Sequence, residues 1–290
     1  MILSLRKVSI FGRFPFVRLL QVFHNPLYAV HLLKKNLFYK REVCNYSPRY
    51  EKFKFLDGSE TLNHVVENRT SLARFSDGEI GILMGASIIP PDSNWSQTWS
   101  KKLKNELAMV LNSNKKNLMV AVDPPGVFLA SKTSVHPIRF EWNMWVDTRR
   151  TLFKFLVDGN SYGHCHLFLK ENSPEFDWNK FKSYISDRNV IVAAGNTGKL
   201  SHLDLGCTTD FIECGVDNAF EKKEWIKSKV YECIETNKYD KSNILLMLCL
   251  GPTACILAYE LDDLQVLDTG HIFEFAAEGF IENNLSSLSL

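Results

Sequence analysis

The chain has 290 residues, of which 45% are hydrophobic and 23% charged, and its formal net charge is +1. This composition is typical of a globular protein with a substantial core, and the balanced charge gives no reason to expect a nucleic-acid partner. The seven cysteines include no Cys-x-x-Cys pair, which argues against a zinc or redox motif and favours a reduced, cytoplasmic compartment.

The first 41 residues contain basic side chains but no Asp or Glu. Apolar residues are interleaved with the basic ones, and no apolar run reaches the roughly 18 residues of a membrane span. This pattern predicts a basic amphipathic arm over residues 1–50. Residues 1–41 could form a peripheral contact with the inner membrane face, or the arm could pack on the chain's own body or on a second subunit. Unchanged partitioning onto anionic liposomes after deletion of residues 1–41 would exclude the membrane role.

Residues 52–69 read as a loop followed by a helix. In the next segment two carboxylates, Asp77 and Glu79, lie on either side of Gly78 and follow Arg74. An Asp-x-Glu pair can hold a divalent cation through oxygen ligands. The glycine lets a bound group approach the backbone, and the planar guanidinium of Arg74 suits a phosphate. Together these residues suit a metal–diphosphate complex.

The same stretch has a second interpretation. Ser76 and Glu79 have the spacing of a capping box just before the apolar residues 80–84, which predicts the start of a helix. The two interpretations are compatible, because the N-terminus of a helix is itself a favourable site for an anion.

Further along, the patterns predict a loop over 88–94, a helix over 99–111, a strand over 118–122 that ends at Asp123, and an aromatic-rich helix over 139–156. His164 and His166 would share one face of a strand, as in a two-histidine metal site. No third ligand lies nearby in sequence, so a structural or substrate-facing role is the preferred interpretation.

Apolar strands and helices alternate through the rest of the chain. Strands are predicted at 189–194, 211–214, 243–250 and 265–268, with helices at 221–235 and 254–261. Residues 251–253 are predicted as a tight turn that puts Pro252 at the start of the last helix. The glycine-rich residues 195–200 lack the spacing of a P-loop. Alternating strands and helices predict a doubly wound, mostly parallel, Rossmann-like α/β sheet. Asp123, Gly195, Gly251 and Asp268 all follow strands, so we expect them to converge on one edge of the sheet.

Several of these segments, taken in order, resemble the motifs of GT-D-type glycosyltransferases. They are residues 71–79, Asp123-Pro124, Trp145, Tyr162-Gly163, and residues 218–220, 250–261 and 268–272. The resemblance implies a GT-D-like glycosyltransferase domain over residues 51–290 with a nucleotide-diphosphate sugar donor such as a UDP-hexose. It also implies a divalent cation, Mn²⁺ or Mg²⁺, and a bacterial surface glycan, lipid-linked glycan or glycoprotein as acceptor.

The family's Asp-x-Glu metal motif, together with the residues themselves, leads to a hypothesis for individual roles. Asp77 and Glu79 would hold the cation, and His271 and Glu274 are the catalytic candidates, with Glu278 and Asp268 as rival bases. The nucleotide sugar would be bound by Arg74, Gly78, Asp123, Gly251, Pro252, Thr253 and Asp268. Two alternatives are a non-catalytic sugar- or nucleotide-binding or scaffold protein, and another Rossmann-like transferase. An oligomer is also left open.

Overall fold

Short apolar segments of the chain form one central sheet. The computed structural model describes residues 52–88, 95–123, 151–169, 173–197, 205, 207–270 and 272. Its strands are β1 (Lys54–Phe55), β2 (Ser71–Phe75), β3 (Leu118–Val122), β4 (Ser161–His164), β5 (Asn189–Ala194), β6 (Thr209–Glu213), β7 (Ile244–Cys249) and β8 (Gln265–Asp268). Its α-helices are α1 (Gly58–Glu67), α2 (Asp77–Met84), α3 (Lys101–Leu111), α4 (Trp178–Ser186), α5 (Lys223–Asn237) and α6 (Pro252–Glu260).

The eight strands form a sheet in the order β1-β4-β3-β2-β8-β7-β5-β6, and every pairing is parallel. From β2 the chain moves outward through β3 and β4. In the other half, β6 is added outside β5, and the chain then moves inward through β7 to β8. Strands β2 and β8 therefore join the two halves at the centre. A doubly wound, Rossmann-like α/β fold is confirmed, and the parallel pairing is complete.

Both faces of the sheet are buried, which explains why the strands read as apolar runs rather than as alternating sequences. In β5, Ile191 and Ala193 point to one core and Val190 and Val192 to the other. Buried residues of α2, α3, α5 and α6 belong to the first core. Buried residues of α1 and α4 belong to the second.

Local capping explains where several helices begin. Asp57 and Glu60 form a capping box at the start of α1, and the hydroxyl of Ser100 accepts from the Leu103 N–H at the start of α3. Pro252 occupies the first turn of α6, as the sequence predicts, because proline lacks the N–H that this position leaves unused. A 3-10 turn (Ala219–Lys222) leads into α5, which begins two residues later than its sequence pattern suggests.

The sequence patterns miss three elements, β1, β2 and α4, and they indicate β4 only through the possible strand at His164 and His166. Strand β1 has two residues, and β2 carries Arg74 in the middle of the sheet, so neither shows a clear strand pattern. Residues 1–51 and 139–150 lie outside the described residues, so the predicted arm and most of the aromatic-rich helix do too. Among the helices that are described, none combines the length and the apolar character needed to cross a bilayer.

Candidate active site

Polar residues from distant parts of the chain meet at the carboxyl edge of the sheet. Asp123 follows β3, Gly195 follows β5, Gly251 follows β7, and Asp268 is the last residue of β8. Residues 76–79 follow β2, which lies between β3 and β8. Because all strands are parallel, their carboxyl ends lie on the same edge, and the predicted convergence is confirmed.

Arg74 ties three elements together at this edge. Its Nε donates to the backbone oxygen of Asp268 at 2.7 Å, and one terminal nitrogen donates to the backbone oxygen of Cys165 at 2.8 Å. The other terminal nitrogen lies 3.3 Å from Asp268 Oδ1. Most of the guanidinium fork is therefore used within the protein. This geometry favours a role in fixing the motif over direct phosphate binding.

The carboxylate of Asp268 is likewise hydrogen-bonded within the protein. Its Oδ1 accepts from the Gly270 N–H at 3.1 Å, and its Oδ2 accepts from the Arg74 N–H at 3.2 Å. The side chain is 4% exposed. With both oxygens engaged and the carboxylate buried, Asp268 caps its own turn and holds Arg74, and it has little room to act as a base.

The backbone conformation of Gly270 and its contact with Arg74 lead to a testable prediction. Its φ is +55°, and a Cβ at this position would come within 1.8 Å of a guanidinium nitrogen of Arg74. Gly270→Ala is therefore expected to lower the free energy of unfolding by about 1–3 kcal/mol, through backbone strain and displacement of Arg74. Gly81→Ala, in α2 with open space at its Cβ, should instead raise it by roughly 0.5–1 kcal/mol. Urea denaturation of both variants checks this, and equal stability of the Gly270 variant and the parent would contradict it.

The Asp77-Gly78-Glu79 motif begins helix α2. A capping box joins Ser76 and Glu79, as predicted, and the Glu79 carboxylate accepts from the Ser76 N–H at 3.0 Å. Asp77 is exposed, whereas Glu79 is 8% exposed. Burial, followed by the nearby Asp268 carboxylate, raises the pKa of Glu79 to about 7. An ionised Glu79 is thus unfavourable without a compensating positive charge.

Gly78 has a packing reason to be a glycine. A Cβ at this position would lie 3.2 Å from Cδ1 of Ile88. Ile88 therefore fills the space that a side chain at position 78 would need. The Gly78 N–H donates to Asp77 Oδ1 at 2.9 Å.

The start of α6 lies beside this motif. The Cys255 thiol, in the first turn of α6, donates to the backbone oxygen of Arg74 at 3.1 Å. Gly251 adopts φ +53° and ψ −139°, a conformation open mainly to glycine, and packs against the Trp95 ring. Thr253 Oγ1 is buried and has no hydrogen-bond partner among the described residues. An unpartnered hydroxyl at a helix N-terminus fits an anionic ligand.

A second cluster forms where β3 and β4 end. His166 Nε2 lies 2.6 Å from Asp123 Oδ1, and the Cys165 thiol donates to the same oxygen at 3.0 Å. Burial, followed by the charge of Asp123, raises the pKa of Cys165 well above its ordinary value. Sequence reasoning did not connect these residues, because 42 positions separate Asp123 from Cys165. The sequence did offer one indication: Asp123 follows a predicted strand, and Cys165 lies at a possible strand end.

The expected strand face shared by His164 and His166 is wrong. Strand β4 ends at His164, so His166 lies in the following turn and reaches across to Asp123. His164 is buried, and its Nδ1 accepts from the His166 N–H at 3.1 Å. The catalytic candidates His271 and Glu274, and the rival base Glu278, lie outside the described residues.

Known proteins are similar to this chain in sequence and in fold. The family model described as "Glycosyltransferase GT-D fold" matches residues 72–282. "Glycosyltransferase GlyD" of Streptococcus pneumoniae serotype 4 is 25% identical over 225 residues, which is 73% of this chain and 26% of that protein. "Probable glycosyl transferase Gly" of Streptococcus gordonii is 25% identical over 237 residues, 78% of this chain and 33% of that protein. The chain thus spans about a quarter to a third of the length of these curated relatives.

Solved structures agree with the family match. A structure described as "The highly conserved domain of unknown function 1792 has a distinct glycosyltransferase fold" has a TM-score of 0.62 and 23% identity, and the alignment covers 80% of this chain and 84% of that one. "A New Glycosyltransferase (DUF1792) from Streptococcus sanguinis" gives 0.62 and 23%, covering 78% and 85%. The family match extends from β2 through β8, and the chain therefore belongs to the family of glycosyltransferases with the GT-D fold.

Proposed function

We propose that this chain is a metal-dependent hexosyltransferase. It takes a hexose from a nucleotide-diphosphate donor, for which a UDP-sugar is the first candidate, and moves it to a bacterial surface glycan, lipid-linked glycan or glycoprotein. The observation that carries the proposal is the juxtaposition of two helix N-termini at one sheet edge. The first turn of one helix holds Asp77 and Glu79, and the first turn of the other holds the buried, unpartnered hydroxyl of Thr253.

The residues at the edge fit a divalent cation. Asp77 and Glu79 offer oxygen ligands, which suit Mn²⁺ or Mg²⁺. Glu79 is buried, and burial together with the nearby Asp268 carboxylate raises its pKa to about 7, so a bound cation would favour its ionised form. A cation held there would stabilise negative charge on the departing nucleoside diphosphate.

The chain's own groups have separable roles in this proposal. The backbone amides at the start of α6 and the Thr253 hydroxyl would bind donor oxygens. Arg74 and Asp268 hold β2, β8 and the turn after β4 together. In this proposal the two side chains position the motif and do not contact the donor. Asp123, which contacts His166 and Cys165, has no donor-binding role in this proposal. Glu274 and His271 stay proposals for the group that removes the acceptor proton.

The direct test is release of nucleoside diphosphate from a panel of nucleotide hexoses, with Mn²⁺, with Mg²⁺ and with a chelator. Even without the acceptor, slow transfer to water should release nucleoside diphosphate from at least one donor, and chelation should abolish the release. Release that is unaffected by the chelator would refute the metal dependence. Absence of both release and nucleotide binding would favour a scaffold protein.

The raised pKa of Glu79 predicts a specific pH dependence. In the metal-free protein the folded state holds the Glu79 proton more tightly than the unfolded state, where the pKa is about 4.3. The free energy of unfolding contributed by this group therefore falls as the pH rises from about 4.5 to about 7, and the loss is complete above that. Bound Mn²⁺ requires the ionised carboxylate, so its affinity should rise over the same window, by at most about tenfold per pH unit.

Calorimetric Mn²⁺ titrations between about pH 5.5 and 7.5, with chemical denaturation of the metal-free protein at the same pH values, measure both effects. Glu79→Gln should remove its part of the pH dependence of unfolding. An Mn²⁺ affinity that does not change across this range would contradict the assignment of Glu79 as a ligand.

A further inference from the structure

The cluster of Asp123, Cys165 and His166 has no part in the function proposed above. Strands β3 and β4 pair in parallel with Val122 opposite His164, so the residues just beyond them, Asp123 and Cys165, are brought together. One oxygen of Asp123, the sulfur of Cys165 and one imidazole nitrogen of His166 all lie within 4.8 Å of one another. We propose that these three side chains bind a zinc-class divalent cation, such as Zn²⁺ or Co²⁺, at a site distinct from Asp77 and Glu79.

The donor set selects the kind of cation. One carboxylate oxygen, one sulfur and one imidazole nitrogen suit Zn²⁺, whereas Mn²⁺ and Mg²⁺ prefer sites built from oxygen. A thiolate, a carboxylate and a neutral imidazole carry a total charge of −2, which a divalent cation neutralises. Three protein ligands also leave a fourth position of a tetrahedral site open for water or another small ligand.

The distances are compatible with such a site. Typical zinc bond lengths at tetrahedral angles place an oxygen and a nitrogen ligand about 3.3 Å apart, and an oxygen and a sulfur ligand about 3.5 Å apart. The corresponding distances here are 2.6 Å between Asp123 and His166 and 3.0 Å between Asp123 and Cys165. Each pair has to open by less than about 1 Å, which small side-chain rotations can supply.

The backbone around the cluster is held in place. The Cys165 N–H donates to the Val122 oxygen at 3.2 Å, and the Cys165 oxygen accepts from Arg74 at 2.8 Å. The His166 N–H donates to His164 Nδ1 at 3.1 Å. Contacts of this kind orient metal ligands before a cation arrives. Cys165 is fully buried, whereas 16% of the His166 side chain is exposed, so the open side of the cluster is at His166.

Starting from a neutral His166, binding moves two protons and releases one of them. The Nε2–H bond of His166, which faces Asp123 Oδ1, breaks, and its proton is replaced through solvent by one on Nδ1, so that the Nε2 lone pair can bind the cation. The thiol proton of Cys165 is the one released. The Sγ–H bond of Cys165 breaks, a bond between Sγ and the cation forms, and the proton passes to the buffer. Without a cation the thiol proton remains on sulfur and is donated to Asp123. The competing interpretation is a closed hydrogen-bonded cluster that holds the ends of β3 and β4 together and binds no metal.

Cobalt distinguishes the two interpretations, because thiolate coordination to Co²⁺ produces a charge-transfer absorption band in the near ultraviolet. The full chain, stripped of metal by a chelator, is titrated with Co²⁺ and then with Zn²⁺. We expect one equivalent of Co²⁺ to produce the band and Zn²⁺ to displace it. Cys165→Ser should abolish the band, and His166→Gln should weaken Co²⁺ binding by at least about tenfold.

Two controls locate the cation. Cys233→Ser changes a partly buried thiol in α5 and should keep the band. The Asp77→Asn/Glu79→Gln variant should keep it too, because neither side chain is among the three ligands of the cluster. The proposal is overturned if the parent chain shows no band, or if the band survives in a folded Cys165→Ser variant. Should circular dichroism show that this variant does not fold, unchanged Co²⁺ affinity in His166→Gln would overturn the proposal.

Discussion

Replacing Arg74 with alanine is expected to lower the free energy of unfolding by about 3–5 kcal/mol, among the largest effects of any single change at the sheet edge. The substitution leaves the buried Asp268 carboxylate without its cation and removes donors to two backbone oxygens. A buried charge that loses its partner is costly because the protein interior does not solvate it as water does. Urea denaturation followed by circular dichroism measures the change.

The matched control is Lys229→Ala. Lys229 pairs with Glu232 at 2.6 Å on the surface of α5, with side chains that are 40% and 62% exposed. Water and salt screen such a pair, so its loss should cost under about 1 kcal/mol. If the Arg74 variant loses no more stability than the Lys229 variant, the guanidinium does not hold the strands together, and a role in donor binding becomes the better explanation.

The second large effect concerns function. Asp77→Asn/Glu79→Gln preserves side-chain size but removes both negative charges from the start of α2. Loss of the cation site should lower the rate of metal-dependent nucleoside-diphosphate release by about a hundredfold or more, since a bound metal ion supplies several kcal/mol of transition-state stabilisation. The steady-state rate at saturating donor and Mn²⁺ measures this.

A control variant with the same change in net charge distinguishes loss of the cation site from a general effect of charge on the rate. Asp187 and Glu235 are exposed carboxylates, and Asp187→Asn/Glu235→Gln alters the net charge by the same amount. The control should retain the parent rate. Equal rates in the parent and in the Asp77/Glu79 variant would show that these carboxylates do not hold a catalytic cation.

Local sequence patterns predicted much of the fold. The capping box of Ser76 and Glu79, proline at the start of α6, and the apolar strands β3, β5, β7 and β8 depend on interactions between near neighbours. Parallel pairing followed from alternating strands and helices. Strand β2 was missed because Arg74 interrupts its apolar pattern, and only the tertiary structure shows that Asp268 compensates for the buried charge.

The site depends more on contacts between distant segments. Arg74 and Asp268 are 194 positions apart, and their hydrogen bonds arise only once β2 and β8 pair. The same holds for Asp123 and His166, which meet because β3 and β4 are neighbours. Single-sequence periodicity reports which face of an element is apolar, but it carries no information about which strands become neighbours.

The most direct measurement of the proposed chemistry is calorimetric titration of the parent chain with UDP, with and without Mn²⁺. Saturable UDP binding that strengthens in the presence of Mn²⁺ and disappears in Asp77→Asn/Glu79→Gln is the expected result. It would establish that the sheet edge binds a metal–diphosphate complex. The contrary result is that UDP does not bind, with or without Mn²⁺, although circular dichroism shows that the protein is folded. This result would contradict a UDP-sugar donor and leave the motif with its helix-capping role.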